Sequence, residues 1–182
     1  MLILASNSPR RRELLSRLKI DFAVEPTAIE EETALYDLRL LPQHNAELKA
    51  AAIAAKHPTD LVLGADTMIL FNGKIIGKPR NQADAFAILM ELAGRTHEVI
   101  TGLALLRCNP KFHRVWSETT QVTFKPFKPD TAKRYLDRVY VLDKAGAYAI
   151  QEHGDLLVAT VNGDMNNVVG LPLEKLRKEL KS

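Results

Sequence analysis

Short apolar runs alternate along this chain with segments whose apolar residues recur every three or four positions, the pattern of strands interleaved with helices. "MLILAS" predicts a short buried strand. "SPRRRELLSRL" predicts a helix, with Ser8 as its cap, Pro9 at its first position, and Leu14, Leu15 and Leu18 on its apolar face. "IDFAVEP" predicts a second strand ending at Pro26, and "TAIEEETALYDLRLLPQ" (residues 27–43) has no clean period, so it reads as a loop with one short helical turn. Irregular loops of that length in compact domains are often functional. "QHNAELKAAAIAAKH" predicts an alanine-rich helix that stops near Pro58.

"DLVLGADTMIL" predicts a buried strand or a pair of strands, and Asn72-Gly73 after it is a two-residue hairpin signal. "NQADAFAILMELAG" predicts a helix between Asn81 as cap and Gly94 as stop. "THEVITGLALLRC" and "FHRVWSETTQVTFKPF" flank Asn109-Pro110 and predict a long antiparallel pair. "PDTAKRYLDRVY" reads as a helix, "AGAYAIQ" and "LLVATVNGD" as short strands, and "LPLEKLRKELKS" as a closing helix. The class is mixed α/β, without internal repeat, low-complexity tract or linker.

At 182 residues the chain suits one domain, or one domain with two lobes. Hydrophobic residues at 46% and charged residues at 26% are ordinary for a soluble globular protein. A net charge of +3 is compatible with an anionic ligand but too weak to argue for nucleic acid, and aromatics at 6% do not supply a stacking surface. The single cysteine, Cys108, allows no disulfide framework within the chain and fits a reducing compartment. Nothing is long enough to span a membrane, and the opening apolar stretch is too short for a signal peptide, so the expected setting is cytoplasmic.

Four features carry candidate chemistry. Arg10, Arg11 and Arg12 stand at the start of the first predicted helix, where free N–H groups and guanidinium forks suit phosphate oxygens; a solvated basic turn is the alternative. Glu30, Glu31 and Glu32 repel one another, which a hard cation would relieve and a solvated turn would tolerate. Asp66 interrupts an apolar run, so it is either buried and satisfied by N–H groups or placed at a strand end facing a cleft. "GKIIGKP" looks like a Walker A loop, but only three residues separate Gly73 from Gly77-Lys78, and Pro79 stands where a Ser or Thr must hold magnesium. Lys78 beside that rigid proline is nevertheless a well-placed point charge. The five histidines show no H-E-x-x-H spacing, and no G-x-S-x-G or H-R-D motif occurs.

Taken in order, "LILASNSPRRRELL", "AIEEE", "NAELKA", "GADTMILFNGKIIGKP", "HEVITGLAL" and "DKAGAYAIQEHGDLLVATVNGDMNNVVGLPL" resemble the motifs of the Maf family of nucleoside triphosphate pyrophosphatases over nearly the whole chain. "NAELKA" has Asn45 where the family motif has leucine. The resemblance implies a single domain over residues 1–182, with an elongated mixed sheet flanked by helices and two lobes with a cleft between them. It implies hydrolysis between the α and β phosphates, a divalent metal (Mg or Mn), and a nucleoside triphosphate as partner rather than nucleic acid or membrane; a homodimer is left open. A non-catalytic nucleotide-binding regulator is the alternative.

By the same resemblance, Ser6, Arg10, Arg11, Lys49 and Lys78 would bind phosphate, Asp66 would be the general base, and Glu31 with Asp66 would hold the metal. Arg10, Thr67 and Gln151 match the branch that prefers dTTP and UTP; the branch that prefers 7-methyl-GTP carries an aromatic, a glutamine and a glutamate there. A carboxamide such as Gln151 can donate and accept at once, which suits the O4 and N3–H edge of uracil or thymine. One departure stands out: Val139-Tyr140-Val141 replaces the family's Gly-Glu-Pro, with loss of a carboxylate and a tight turn. Lys74, in the hairpin turn, is expected to face solvent.

Overall fold

The computed structural model describes residues 1–33 and 36–181. The elements run β1 (Leu2–Leu4), α1 (Pro9–Ser16), β2 (Phe22–Val24), α2 (Leu41–Ala54), β3 (Leu61–Phe71), β4 (Lys74–Ile76), α3 (Gln82–Leu92), β5 (Thr96–Arg107), β6 (Phe112–Phe124), α4 (Pro129–Leu136), β7 (Val158–Asn162), α5 (Met165–Val169) and α6 (Leu173–Glu179). The strands form one seven-stranded sheet in the order β2-β1-β3-β5-β6-β7, with β4 pairing β3 off that path. β1 is parallel to β2 and β3, whereas β3–β4 and β6–β7 are antiparallel, which makes the sheet mixed. Among the described residues no helix is long and apolar enough to cross a membrane.

The chain divides into two compact units. The first comprises Met1–Thr67, Ile100–Glu118 and the segment from Gly170 on; the second comprises Met68–Val99 and Thr119–Val169. The chain passes between the two units several times.

In the first unit, Ser8 caps α1 by accepting the Arg11 N–H, and Pro9 occupies the first turn. Leu14 and Leu15 turn inward from the same helix. α2 begins at Leu41 rather than Gln43, because Pro42 sits in its first turn, where a missing N–H costs nothing. Its buried stripe is Ala46, Ala50, Ile53 and Ala54, packed with Ile3, Val62, Ala104 and Leu106.

Two glycines let α2 lie directly on the sheet. A Cβ on Gly64 would come within 2.0 Å of the Ala46 carbonyl oxygen, and one on Gly102 within 2.1 Å of the Pro42 carbonyl carbon. Small residues on both surfaces thus bring the helix backbone against β3 and β5. Gly102→Ala is expected to cost about 2–3 kcal/mol, because the obstacle is backbone and cannot rotate away. Urea denaturation reads that loss; a stability within about 0.5 kcal/mol of wild type would mean α2 can shift freely.

In the second unit, Asn72 and Gly73 (φ 50° and 74°) form the hairpin turn that pairs Phe71 with Lys74, and Lys74 is exposed as expected. β3 is a single eleven-residue strand, which settles the choice between one strand and two. Asn81 caps α3 by accepting the Asp84 N–H, and Gly94 (φ 70°) follows its end.

"AGAYAIQ" is not a strand. Gly146 and Ala147 both have positive φ (73° and 58°) and form a tight turn, a conformation incompatible with an extended ladder. α5 was not visible in the pattern. Val139 and Val141 are 3% and 0% exposed and join the core of Phe71, Leu89, Leu92, Phe124 and Tyr135. The segment that replaces the family's Gly-Glu-Pro is therefore anchored by apolar burial. Lys144 adds to the anchor by donating to the Tyr140 carbonyl and pairing with Asp143 at 2.9 Å.

This core contains one buried imidazole. His97 is 1% exposed, and its Nε2 shares a 2.8 Å hydrogen bond with the Tyr148 hydroxyl. Phe124 and Tyr148 meet it edge-on, with ring centroids at 5.0 and 5.5 Å. Burial pushes the imidazole down to about 4 from 6.5 and pushes the Tyr148 phenol up. The unfolded chain takes up a proton below 6.5 that the folded chain refuses. This contribution is therefore complete above that value, and roughly 2–3 kcal/mol is lost as the pH falls toward 4. Denaturation midpoints across that range should fall for wild type and flatten in His97→Phe; equal slopes would assign the acid loss to other groups.

Candidate active site

Asp66 lies in the middle of β3, and adjacent strand residues project to opposite faces. Asp66 meets α2, while Thr67 meets the Arg11 side chain from α1. The two faces carry different chemistry.

On the α2 face, Asp66 Oδ1 accepts from Lys49 Nζ at 2.8 Å, and Lys49 Nζ also contacts Glu31 Oε1 at 2.5 Å. One ammonium thus joins two carboxylates. Lys49 and Asp66 are 12% and 14% exposed at the side chain, whereas Glu31 is 50% exposed and open to a ligand. Of the three consecutive glutamates, Glu31 is the one that reaches Lys49. Asn45, four residues before Lys49 and so on the same helix face, donates to Asp66 Oδ2 at 3.4 Å. The close approach permitted by Gly64 is what brings both side chains to Asp66.

On the opposite face, Arg11 is tied into the protein. Its Nε donates to the Gly170 carbonyl at 3.0 Å, and its Nη1 donates to the Ala65 carbonyl at 2.9 Å and to Ser6 Oγ at 3.3 Å. Its Nη2 donates to Thr67 Oγ1 at 3.0 Å. Among the described residues, partners occupy four of the five N–H groups, leaving one on Nη2. Burial lowers the Arg11 guanidinium from its ordinary value; the charges of Asp66 and Glu31 oppose this, and Arg10 reinforces it. Thr67 Oγ1 further shares a hydrogen bond with Thr101 Oγ1 at 2.9 Å. Ser6 Oγ accepts from Arg11 and from the Ser8 N–H at 3.2 Å, which leaves its own hydrogen to donate.

Arg10 is half-buried and, among the described residues, makes no hydrogen bond or ion pair, so its guanidinium is available. Lys78 and Gln151 belong to the second unit and are exposed there. The structure thus gathers Ser6, Arg11, Glu31, Lys49, Asp66 and Thr67 in the first unit and places Lys78 and Gln151 in the other.

A divalent ion suits the donor set. Asp66 and Glu31 are hard oxygen donors already sharing one cation, the Lys49 ammonium. Among the described residues no group of three or more His, Cys, Asp or Glu converges on a metal position. Two carboxylates completed by substrate phosphates and water is the usual arrangement for magnesium.

Sequence reasoning passed over Asn45 and Thr101. The signal for Asn45 was present: an amide on the alanine stripe, 3% exposed, one turn before Lys49. Thr101 gave none, since a threonine within a strand is ordinary.

The comparisons with known proteins agree with one another. The dTTP/UTP pyrophosphatase of Latilactobacillus sakei subsp. sakei (strain 23K) is 44% identical over 183 residues, covering 100% of both chains. That of Shouchella clausii (strain KSM-K16) is 43% identical over 180 residues, covering 98% of this chain and 93% of its own. Among solved structures, the Staphylococcus aureus Ham1 protein aligns with a TM-score of 0.58 over 99% of this chain and 97% of its own; at 15% identity it supports the fold alone. The sequence also matches the Maf-like protein family over residues 1–182, and with these relatives the chain belongs to the Maf family.

Proposed function

We propose that this protein hydrolyses nucleoside triphosphates, dTTP and UTP preferred, between the α and β phosphates, releasing the monophosphate and pyrophosphate. The observation that carries the reading is Asp66, a strand-borne carboxylate held at one oxygen by Lys49. The relatives' shared name supplies the substrate class.

Among the described residues Asp66 Oδ2 has only the long Asn45 contact, so it is the oxygen left to take a proton from water. The water oxygen bonds to the α phosphorus, the bond from that phosphorus to the bridging oxygen breaks, and the electron pair leaves with pyrophosphate. Lys49, Arg10, Lys78 and the free Arg11 N–H supply positive charge to the phosphates, and the Ser6 hydroxyl supplies a donor. Unit charges 4 Å apart near a protein surface interact by roughly 4 kcal/mol, enough for each cation to matter.

Glu31 and Asp66 would hold the divalent ion, which when bound polarises phosphoryl oxygen and neutralises the leaving group. Lys49 must then yield part of its contact with the carboxylates and turn toward phosphate, a motion its long side chain permits. Arg10 and Gln151 are proposed to select the pyrimidine nucleotide, and Thr67 to act through the Arg11 position it fixes. The proposed setting is the cytoplasmic nucleotide pool.

The test is pyrophosphate release from dTTP, UTP, 7-methyl-GTP and the common triphosphates with Mn²⁺. Release from dTTP and UTP above the rest is expected. Release from 7-methyl-GTP alone would reverse the specificity, and binding without release would make the protein a regulator.

A further inference from the structure

The acidic loop that carries Glu31 has no regular secondary structure over residues 25–33. An ion pair at a half-exposed carboxylate is too weak to order such a segment by itself. The buried amide of Asn45 supplies what is missing. Its Oδ1 accepts the Glu32 N–H at 2.9 Å, and its Nδ2 donates to the Glu32 carbonyl at 3.0 Å. Those are the two main-chain bonds a neighbouring strand would give that residue. The same Nδ2 reaches Asp66 Oδ2.

We infer that Asn45 is a positioning residue: its side-chain amide clamps the Glu32 backbone and steadies Asp66, so that Glu31, Lys49 and Asp66 are held as one unit. The inference rests on reading those three as the active centre. An amide presents its acceptor and its donors on two separate coplanar atoms, whereas an ionised carboxylate has no donor and a hydroxyl has a single oxygen for both roles. The leucine of the family motif could make none of these bonds. Fixing Glu32 fixes the direction in which Glu31 leaves the backbone, and Glu31 then meets Lys49 without a search.

The test pairs Asn45→Leu and Asn45→Asp with two readouts. The first is hydrogen exchange at the Glu32 amide by NMR in metal-free, nucleotide-free protein. The second is steady-state kinetics on dTTP. In Asn45→Leu, Glu32 exchange should accelerate at least about 10-fold while α2 amides stay protected, and kcat should fall about 10-fold with KM within about threefold. Asn45→Asp keeps the acceptor but loses the donors. Its Glu32 amide should stay partly protected while kcat still falls, a split that a packing role would not produce.

Unchanged Glu32 exchange in Asn45→Leu overturns the clamp. Lost protection with kcat within twofold of wild type overturns its role in turnover. Should Asn45→Leu not fold, Asn45→Asp with wild-type kcat overturns that role equally. A wild-type protein that releases no pyrophosphate instead overturns the functional reading, and with it the positioning role, leaving the clamp to be judged by exchange alone.

Discussion

Asp66→Asn is expected to lower pyrophosphatase turnover by about 10²–10⁴-fold while leaving the fold in place. Asparagine keeps the shape of the side chain, and its carbonyl oxygen can still accept from Lys49. It cannot take a proton from water, and it removes one of the two proposed ligands of the metal. Glu31 still pairs with Lys49, so the ammonium is not stranded. Circular dichroism should be unchanged and kcat should collapse. Turnover within threefold of wild type would remove Asp66 from the base role.

Arg11→Met is expected to destabilise the protein by about 3–5 kcal/mol, whereas Arg10→Met, one residue away, should change stability by less than about 0.5 kcal/mol. Arg11 links α1 to β3, through the Ala65 carbonyl and Thr67, and to the segment at Gly170. Its loss leaves two carbonyls and two hydroxyls without their donor in a confined site. Among the described residues Arg10 has no hydrogen-bond or ion-pair partner to lose, and its substitution should appear in KM for the triphosphate. Urea denaturation of both variants decides this. A loss below about 1 kcal/mol for Arg11→Met would show that the network is not structural.

The pair illustrates what the sequence could and could not convey. Three consecutive arginines at a helix start read as one anion site. Their division of labour depends on helical geometry: successive residues point about 100° apart, so Arg11 turns toward β3 while Arg10 does not. Local signals were legible where short-range chemistry decides the outcome, as at Ser8-Pro9, Asn72-Gly73 and Asn81. Asp66 was legible because a charge inside an apolar run needs a reason.

"AGAYAIQ" misled because its apolar residues satisfy either a strand or a buried turn, and the positive φ at Gly146 and Ala147 decided for the turn. Asn45 stands out locally as an amide on an alanine-rich helix, but its role does not: its partners are the main chain of Glu32, thirteen residues away, and Asp66, twenty-one residues away. The replacement of Gly-Glu-Pro by Val139-Tyr140-Val141 posed a question about local geometry, and the burial of both valines answers it.

The central claim is that Asp66 directs water to the α phosphorus. The most direct measurement is hydrolysis of dTTP in ¹⁸O-enriched water with Mn²⁺, followed by mass spectrometry of the products. The account predicts one ¹⁸O atom in dTMP and unlabelled pyrophosphate, with the labelled product lost in Asp66→Asn. Label in pyrophosphate, or formation of dTDP and inorganic phosphate, would contradict it.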